Sequence, residues 1–189
     1  MMGEHKAALA TAGFLLTLGA CSILSLPRGE AVGARDLVVP IAGVAITDLV
    51  DSYGAARGGG RAHEGVDIMA PHGTPVRAAA AGRVLKLHTS ARGGLTLYQA
   101  DESGRVIFCY AHLSAYADGV KEGQRVEQGD VIAAVGQTGN ATVPHLHFEV
   151  LRAKAPGQWW GGEAMNPYRA LIAGRVDAPV SASGTAAGR

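Results

Sequence analysis

The chain has 189 residues, 48% of them hydrophobic and 17% charged, with a formal net charge of +1. That is enough for one globular domain with extensions, and with Lys and Arg scattered rather than striped, composition speaks against DNA or RNA as a partner. With 27 glycines and only 3 Phe, 2 Trp and 5 Tyr, turns and short strands are favoured over long helices.

Lys6 precedes an uncharged run from Ala7 to Leu26 whose most apolar part is Phe14-Leu15-Leu16-Thr17-Leu18, the layout of an export signal that takes no part in the fold. The signal closes on Leu18-Gly19-Ala20-Cys21, which resembles the lipobox of bacterial lipoproteins, where the Cys becomes the lipidated first residue. An uncleaved anchor is the competing reading, since about 20 residues span a bilayer core of roughly 30 Å, and simple secretion is the third. All three place the domain outside the cytoplasm. If Cys21 is lipidated, Cys109 is left as a lone thiol in the apolar run Val106-Ile107-Phe108-Cys109-Tyr110; no disulfide is then possible, and buried packing is its expected role.

Residues 22–36 are short, mixed and unpatterned and read as a linker. The domain is expected from 37 to 172, beginning at Leu37-Val38-Val39-Pro40-Ile41, with 173–189 as a disordered tail. Gly58-Gly59-Gly60 forms a flexible loop before His63-Glu64-Gly65-Val66-Asp67. His63 and Asp67 have the spacing of one helical face, but the surrounding glycines and Pro71 oppose a helix. A fully extended chain would hold them about 13 Å apart, too far for a shared ion, so a bend is needed, and Gly65 is the residue expected to supply it.

Strands follow at Thr74–Ala78, Gly82–Leu87 and Leu95–Tyr98, each between turn residues. The turn Asp101-Glu102-Ser103-Gly104 leads into a strand from Arg105 to about Ala111. If that strand stays extended, Phe108, Tyr110 and His112 share a face. Gly73-x-x-Val76 with Gly82-x-Val84 is echoed by Gly123-x-x-Val126 with Gly129-x-Val131, the mark of a duplicated hairpin. The loop Gly136-Gln137-Thr138-Gly139-Asn140 delivers the chain into His145-Leu146-His147-Phe148-Glu149-Val150. There Leu146, Phe148 and Val150 alternate with polar residues, so His145 and His147 point out of one strand face. Their Cα atoms would lie roughly 6.5 Å apart, close enough for one imidazole to bind a metal and the other to act beside it. Trp159-Trp160 reads as core cover, and Asn166-Pro167-Tyr168 closes the domain.

From Val39 to about Leu171 the chain resembles the lysostaphin-type, or LytM-like, zinc metallopeptidases. The resemblance is carried by His63-Glu64-Gly65-Val66-Asp67, Tyr110-Ala111-His112-Leu113 and Pro144-His145-Leu146-His147-Phe148, which stand in that family's order and rough spacing. It implies a mainly β fold, a twisted and mostly antiparallel sheet or sandwich of the duplicated-hairpin type, with a groove over one Zn2+ per domain. It selects His63, Asp67 and His147 as metal ligands and His112 and His145 as catalytic residues lining the substrate site. His5, His72 and His88 fall outside the motifs.

Three protein ligands leave a fourth zinc position for water, which suits catalysis. His145 would then take a proton and His112 would donate a hydrogen bond to the developing oxyanion, or the two would exchange these roles, since the sequence does not set which is the general base. The resemblance implies an endopeptidase cutting peptidoglycan cross-links or stems. Export agrees with that substrate, and Ser22 after the Cys agrees with outer-membrane sorting and a periplasmic, membrane-anchored lipoprotein. The alternative is an inactive module of the same fold that binds cell wall and activates an amidase, although no expected ligand is missing. The phosphoryl-carrying glucose-specific transport component also pairs two histidines on a duplicated β domain, but that cytoplasmic protein needs neither an export signal nor Asp67.

Overall fold

Apolar residues spaced two apart and bounded by glycine-rich turns become strands almost throughout. The structure, a computed structural model, describes residues 37–176; the expected signal with Cys21, the linker and residues 177–189 lie outside the described residues. After a 3-10 turn at Ile46–Asp48, β1 (Ala56–Arg57) and β2 (Arg61–Ala62) form a small hairpin of their own. Then come β3 (Val66–Met69), β4 (Pro75–Arg77), β5 (Gly82–Ser90), β6 (Gly94–Asp101), β7 (Val106–Tyr116), β8 (Arg125–Val126), β9 (Val131–Val135), β10 (His145–Arg152) and β11 (Glu163–Met165). A short helix, α1 (Pro167–Ala173), follows.

Each ladder is antiparallel, and β11, β10, β7, β6, β5 and β8 lie side by side. β3 pairs with β10, and β9 pairs with both β4 and β7. The fold is therefore mainly β and antiparallel, as expected. The two glycine–valine stretches exchange partners, β4 with β9 and β5 with β8. Gly73 and Gly123 open them with φ near +84°, a conformation that favours glycine. Val76, Val84 and Val126 enter the core, whereas Val131 is 48% exposed, so the echo extends to three of the four valines.

The alternation on β10 is realised: Leu146, Phe148 and Val150 are fully buried in the main core, while His145, His147 and Glu149 line a groove on the opposite face. On β7 the expected common face for Phe108, Tyr110 and His112 does not form. Phe108 and Tyr110 enter the core, but His112 joins Cys109 and Ala111 in lining the groove. The cause is a left-handed backbone at His112, φ +61°, which turns the strand and re-aims its side chain. Up to Ala111 the strand pairs with β10; from Leu113 it pairs with β9, with a register shift before Ala115.

The core beneath the groove is tied by a fully satisfied polar network. The Tyr110 hydroxyl accepts from the Ala79 N–H at 2.9 Å and donates to Gln99 Oε1 at 2.8 Å, and Gln99 Nε2 donates to the Ala80 carbonyl at 2.7 Å. Buried polar groups are costly unless paired, so these bonds fix β6 and β7 against the Ala78–Ala80 run. Asn166 caps α1 through Oδ1, which accepts from the Arg169 N–H at 3.1 Å; Pro167 follows, and Gly174 ends the helix at φ +64°. This is the favoured order of helix start and stop residues.

Candidate active site

Register builds the site first. In the β3–β10 ladder Asp67 lies directly opposite His147, so their side chains share a face. His63 precedes β3 and is held by two backbone bonds, its N–H to the Ala55 carbonyl and its own carbonyl to the Gly54 N–H. Gly65 serves by close approach rather than by an unusual φ: a Cβ there would lie 2.6 Å from the Phe148 carbonyl oxygen and 2.8 Å from His147 Cε1. The chain bends at this glycine, as expected, and the missing Cβ also lets it pack against β10.

Three side-chain atoms then converge. His63 Nε2, Asp67 Oδ1 and His147 Nδ1 lie 2.9, 3.0 and 3.1 Å apart in pairs. His63 Nδ1 lies 2.8 Å from the Ser52 carbonyl oxygen, and a carbonyl only accepts, so Nδ1 carries the proton and Nε2 offers a lone pair. Three electron-pair donors therefore face one another with at most one proton, on His147, to reconcile them. A tetrahedral zinc bonded at about 2.0–2.1 Å sets its donors about 3.3 Å apart. The observed triangle would have to open by only roughly 0.3 Å on that geometry, and the two-nitrogen, one-oxygen donor set suits zinc.

The other two histidines point the same way. His112 Nδ1 donates to the Thr138 carbonyl at 2.9 Å, and His145 Nδ1 donates to the Val143 carbonyl at 2.8 Å. Each is left with a bare Nε2, and that of His145 is 3.7 Å from Asp67 Oδ1. The His112 ring centroid lies 4.8 Å from that of His145 and 5.8 Å from that of His147. His147 is reversed: Nδ1 faces the cluster while Nε2 meets Glu149 Oε1 at 2.8 Å.

The loop after β9 secures His112 from below. Thr138 donates from its hydroxyl to the Leu113 carbonyl and accepts from the Leu95 N–H. Gly136 packs so close that a Cβ would come within 2.4 Å of the Ser114 nitrogen.

These surroundings set the charges. Burial pulls the His63 and His112 imidazoles below their ordinary value. Burial also opposes charge on His147, but the carboxylates of Asp67 and Glu149 outweigh it and lift that group to about 9. Burial would raise Asp67 too; the hydrogen bond and charge of His147, with His63 and Arg57 nearby, instead hold it well below the usual carboxylate range. Arg57 Nη2 donates to Asp67 Oδ2 at 2.5 Å, leaving Oδ1 for the cluster.

All five histidine and aspartate residues selected from the sequence come together in one groove of about 450 Å³. Among the described residues, His72 sits in an exposed turn and His88 packs 5.5 Å from the Trp159 ring; neither lines the groove. Trp159 also covers Tyr98 at 4.9 Å, while Trp160 is 58% exposed. Sequence reasoning left Glu149 and Arg57 without roles. Glu149 was detectable, since it is two residues beyond His147 on the same alternating face.

The family model described as Peptidase family M23 matches residues 61–167. The chain is 34% identical over 131 residues to the L-Ala–D-Glu endopeptidase of Bacillus subtilis, a match covering 65% of this chain and 39% of that protein. It is 43% identical over 91 residues to the peptidoglycan DD-endopeptidase ShyC of Vibrio cholerae, covering 48% of this chain and 20% of that protein. The matches thus span well under half the length of these relatives. The catalytic domain of the antimicrobial peptidase lysostaphin from Staphylococcus simulans superposes with a TM-score of 0.57 at 32% identity, covering 66% of this chain and 91% of that domain.

Proposed function

Because the chain belongs to peptidase family M23, we propose that it is a zinc-dependent endopeptidase that hydrolyses peptide bonds in peptidoglycan cross-links or stem peptides. The observation that carries this reading is the convergence of His63 Nε2, Asp67 Oδ1 and His147 Nδ1 at the floor of an open groove, with two more imidazoles presenting bare Nε2 atoms beside them. A zinc ion held there supplies Lewis acidity toward a scissile carbonyl and acidifies water.

The protein's residues do the rest. Arg57 and Glu149 hold Asp67 and His147 from behind, so that each presents one atom to the metal. His145, whose Nε2 lies 3.7 Å from Asp67 Oδ1, takes the proton of the attacking water and can return it to the leaving amine. Of the two exchangeable roles, His112 does not suit that of oxyanion donor. With Nδ1–H engaged by Thr138, its neutral ring offers only an acceptor, and burial opposes the second proton that donation to an oxyanion would need. Its Nε2 therefore orients the water or a substrate N–H.

Two variants test the reading. His147→Ala leaves two protein ligands where a catalytic zinc needs three, so zinc content and hydrolysis of purified sacculi should both collapse. His145→Ala should keep near-stoichiometric zinc yet lose about 100-fold or more in rate. Full zinc and activity in His147→Ala would refute the site, and equal zinc loss in both variants would make His145 a ligand. We further propose that the N-terminal segment is an export signal ending at a lipidated Cys21. Labelled acyl chains should enter the wild type and not Cys21→Ser.

A further inference from the structure

The walls of the groove carry charge that the hydrolytic chemistry does not use. Arg57, Arg61 and Arg92 all line it, against the carboxylates Glu64, Asp67 and Glu149. Arg57 is engaged by Asp67, and Glu149 by His147. Arg61 and Arg92 have no carboxylate partner among the described residues, and both are exposed. Glu64 opposes them as one unpaired negative charge, so the unpaired guanidiniums outnumber the unpaired carboxylate two to one, and a divalent ion bound beside them would add to the positive side.

Arg61 is also placed at a cost. In the β1–β2 hairpin it lies directly opposite Arg57, and like charges facing each other across an antiparallel pair destabilise it. Asp67 neutralises only Arg57. A local rule broken without a structural gain marks a functional position.

The hairpin that carries Arg61 is a separate two-stranded sheet tied to Asp67 on β3 by the Arg57 ion pair, while the carbonyl of Gly93, next to Arg92, accepts the His112 N–H on β7. Across the main sheet the sequence is β3, β10, β7, β6. Arg61 comes from the hairpin just before β3, and Arg92 from the turn that joins β5 to β6. His147 on β10 and His112 on β7 therefore stand between them. A peptide laid across the histidines meets one guanidinium on each side of the bond to be cut.

Building on the proposed hydrolytic function, we infer that Arg61 and Arg92 form carboxylate-binding subsites flanking the scissile bond, so that the preferred substrate is an anionic peptide with a free carboxyl on either side. Guanidinium matches carboxylate with paired, charge-assisted hydrogen bonds. An uncharged bridge of glycines would leave both arginines unused. Acidic stem peptides would engage them.

The test is binding, which needs no turnover. The zinc-loaded full chain is titrated calorimetrically with a stem peptide whose central amide is N-methylated against cleavage, once with free carboxyls on both sides and once with both amidated. The free acid should bind about tenfold tighter at low salt, and salt should erode the difference because exposed charges are screened. Arg61→Gln and Arg92→Gln should each shrink the preference severalfold, and the double variant should abolish it. Zinc itself attracts carboxylates, so a preference that survives in the double variant would overturn the inference, as would equal affinity of acid and amide for the wild type. Neither result bears on hydrolysis of sacculi, which is measured separately. Because Arg61 is exposed and faces a like charge, Arg61→Gln should unfold no earlier than the wild type.

Discussion

Replacing His112 by Gly and by Ala separates what the backbone costs from what the imidazole does. Both changes delete the ring, its bond to the Thr138 carbonyl and its contacts with His145; they differ only in a Cβ. The left-handed conformation at φ +61° costs a residue with a Cβ roughly 1–2 kcal/mol, and glycine escapes this. Glycine in turn loses about 0.4–1 kcal/mol more chain entropy on folding. The balance leaves His112→Gly more stable than His112→Ala by about 0.5–1 kcal/mol. Ala115, three residues along β7 and exposed, supplies the control: Ala115→Gly should destabilise by about 0.5–1 kcal/mol, the opposite sign. Urea midpoints of the purified proteins measure both differences, and sacculus hydrolysis should fall about 100-fold in both His112 variants alike. An Ala variant as stable as the Gly variant would mean that the bend at 112 carries no strain.

With its value near 9, His147 in metal-free protein holds a proton at neutral pH, so zinc binding at pH 7 should release about one proton, seen by calorimetry in two buffers of different ionisation enthalpy; no release would refute the assignment. That group lies above the unfolded reference of about 6.5, so its contribution to metal-free stability is complete below about 6.5 and lost as pH rises through 9. Urea unfolding at either end should show the loss on the alkaline side. Gly136→Ala would set a Cβ 2.4 Å from the Ser114 nitrogen and 2.5 Å from the Leu113 carbonyl carbon, and should cost about 1–3 kcal/mol while displacing His112 and slowing hydrolysis. Gly65→Ala drives its Cβ toward His147 Cε1, so zinc affinity should weaken; an unchanged affinity would show that the ring has room to move.

Local pattern made much of this molecule legible. The alternation around Leu146, Phe148 and Val150 gave β10 and the shared face of His145 and His147, because one face of that strand is buried and the other lines the groove. The glycine–valine echo marked two related hairpins but not that they trade strands, since partner choice depends on the three-dimensional return of the chain. The motif placed His112 in the groove, but strand alternation alone would put it on the face of Phe108 and Tyr110, because nothing beside it in the sequence announces a positive φ; the turn is imposed from a distance by Gly93, whose carbonyl takes the His112 N–H at 2.8 Å, and by the Gly136–Gly139 loop. The helix at Pro167 went unread although Asn166, Pro167 and Gly174 spell its start and stop. The tautomers that separate His147 from the other three histidines depend on carbonyls of Ser52, Thr138 and Val143, which no side-chain pattern reveals.

The pairing of Asp67 with His147 across β3 and β10 has a bearing on how the chain reaches its native state. A slip of one residue would set His147 against Val66 or Ile68 and turn the carboxylate to the opposite face. Such a misaligned sheet keeps most of its backbone bonds, and hydrogen bonding alone discriminates weakly against it. Only the correct alignment assembles the proposed metal site, so an ion bound there would add its binding energy to that alignment and to no other. Before it serves any chemistry, the metal would thus act as a proofreader of strand alignment, and chains that mature where zinc is scarce should accumulate misaligned forms.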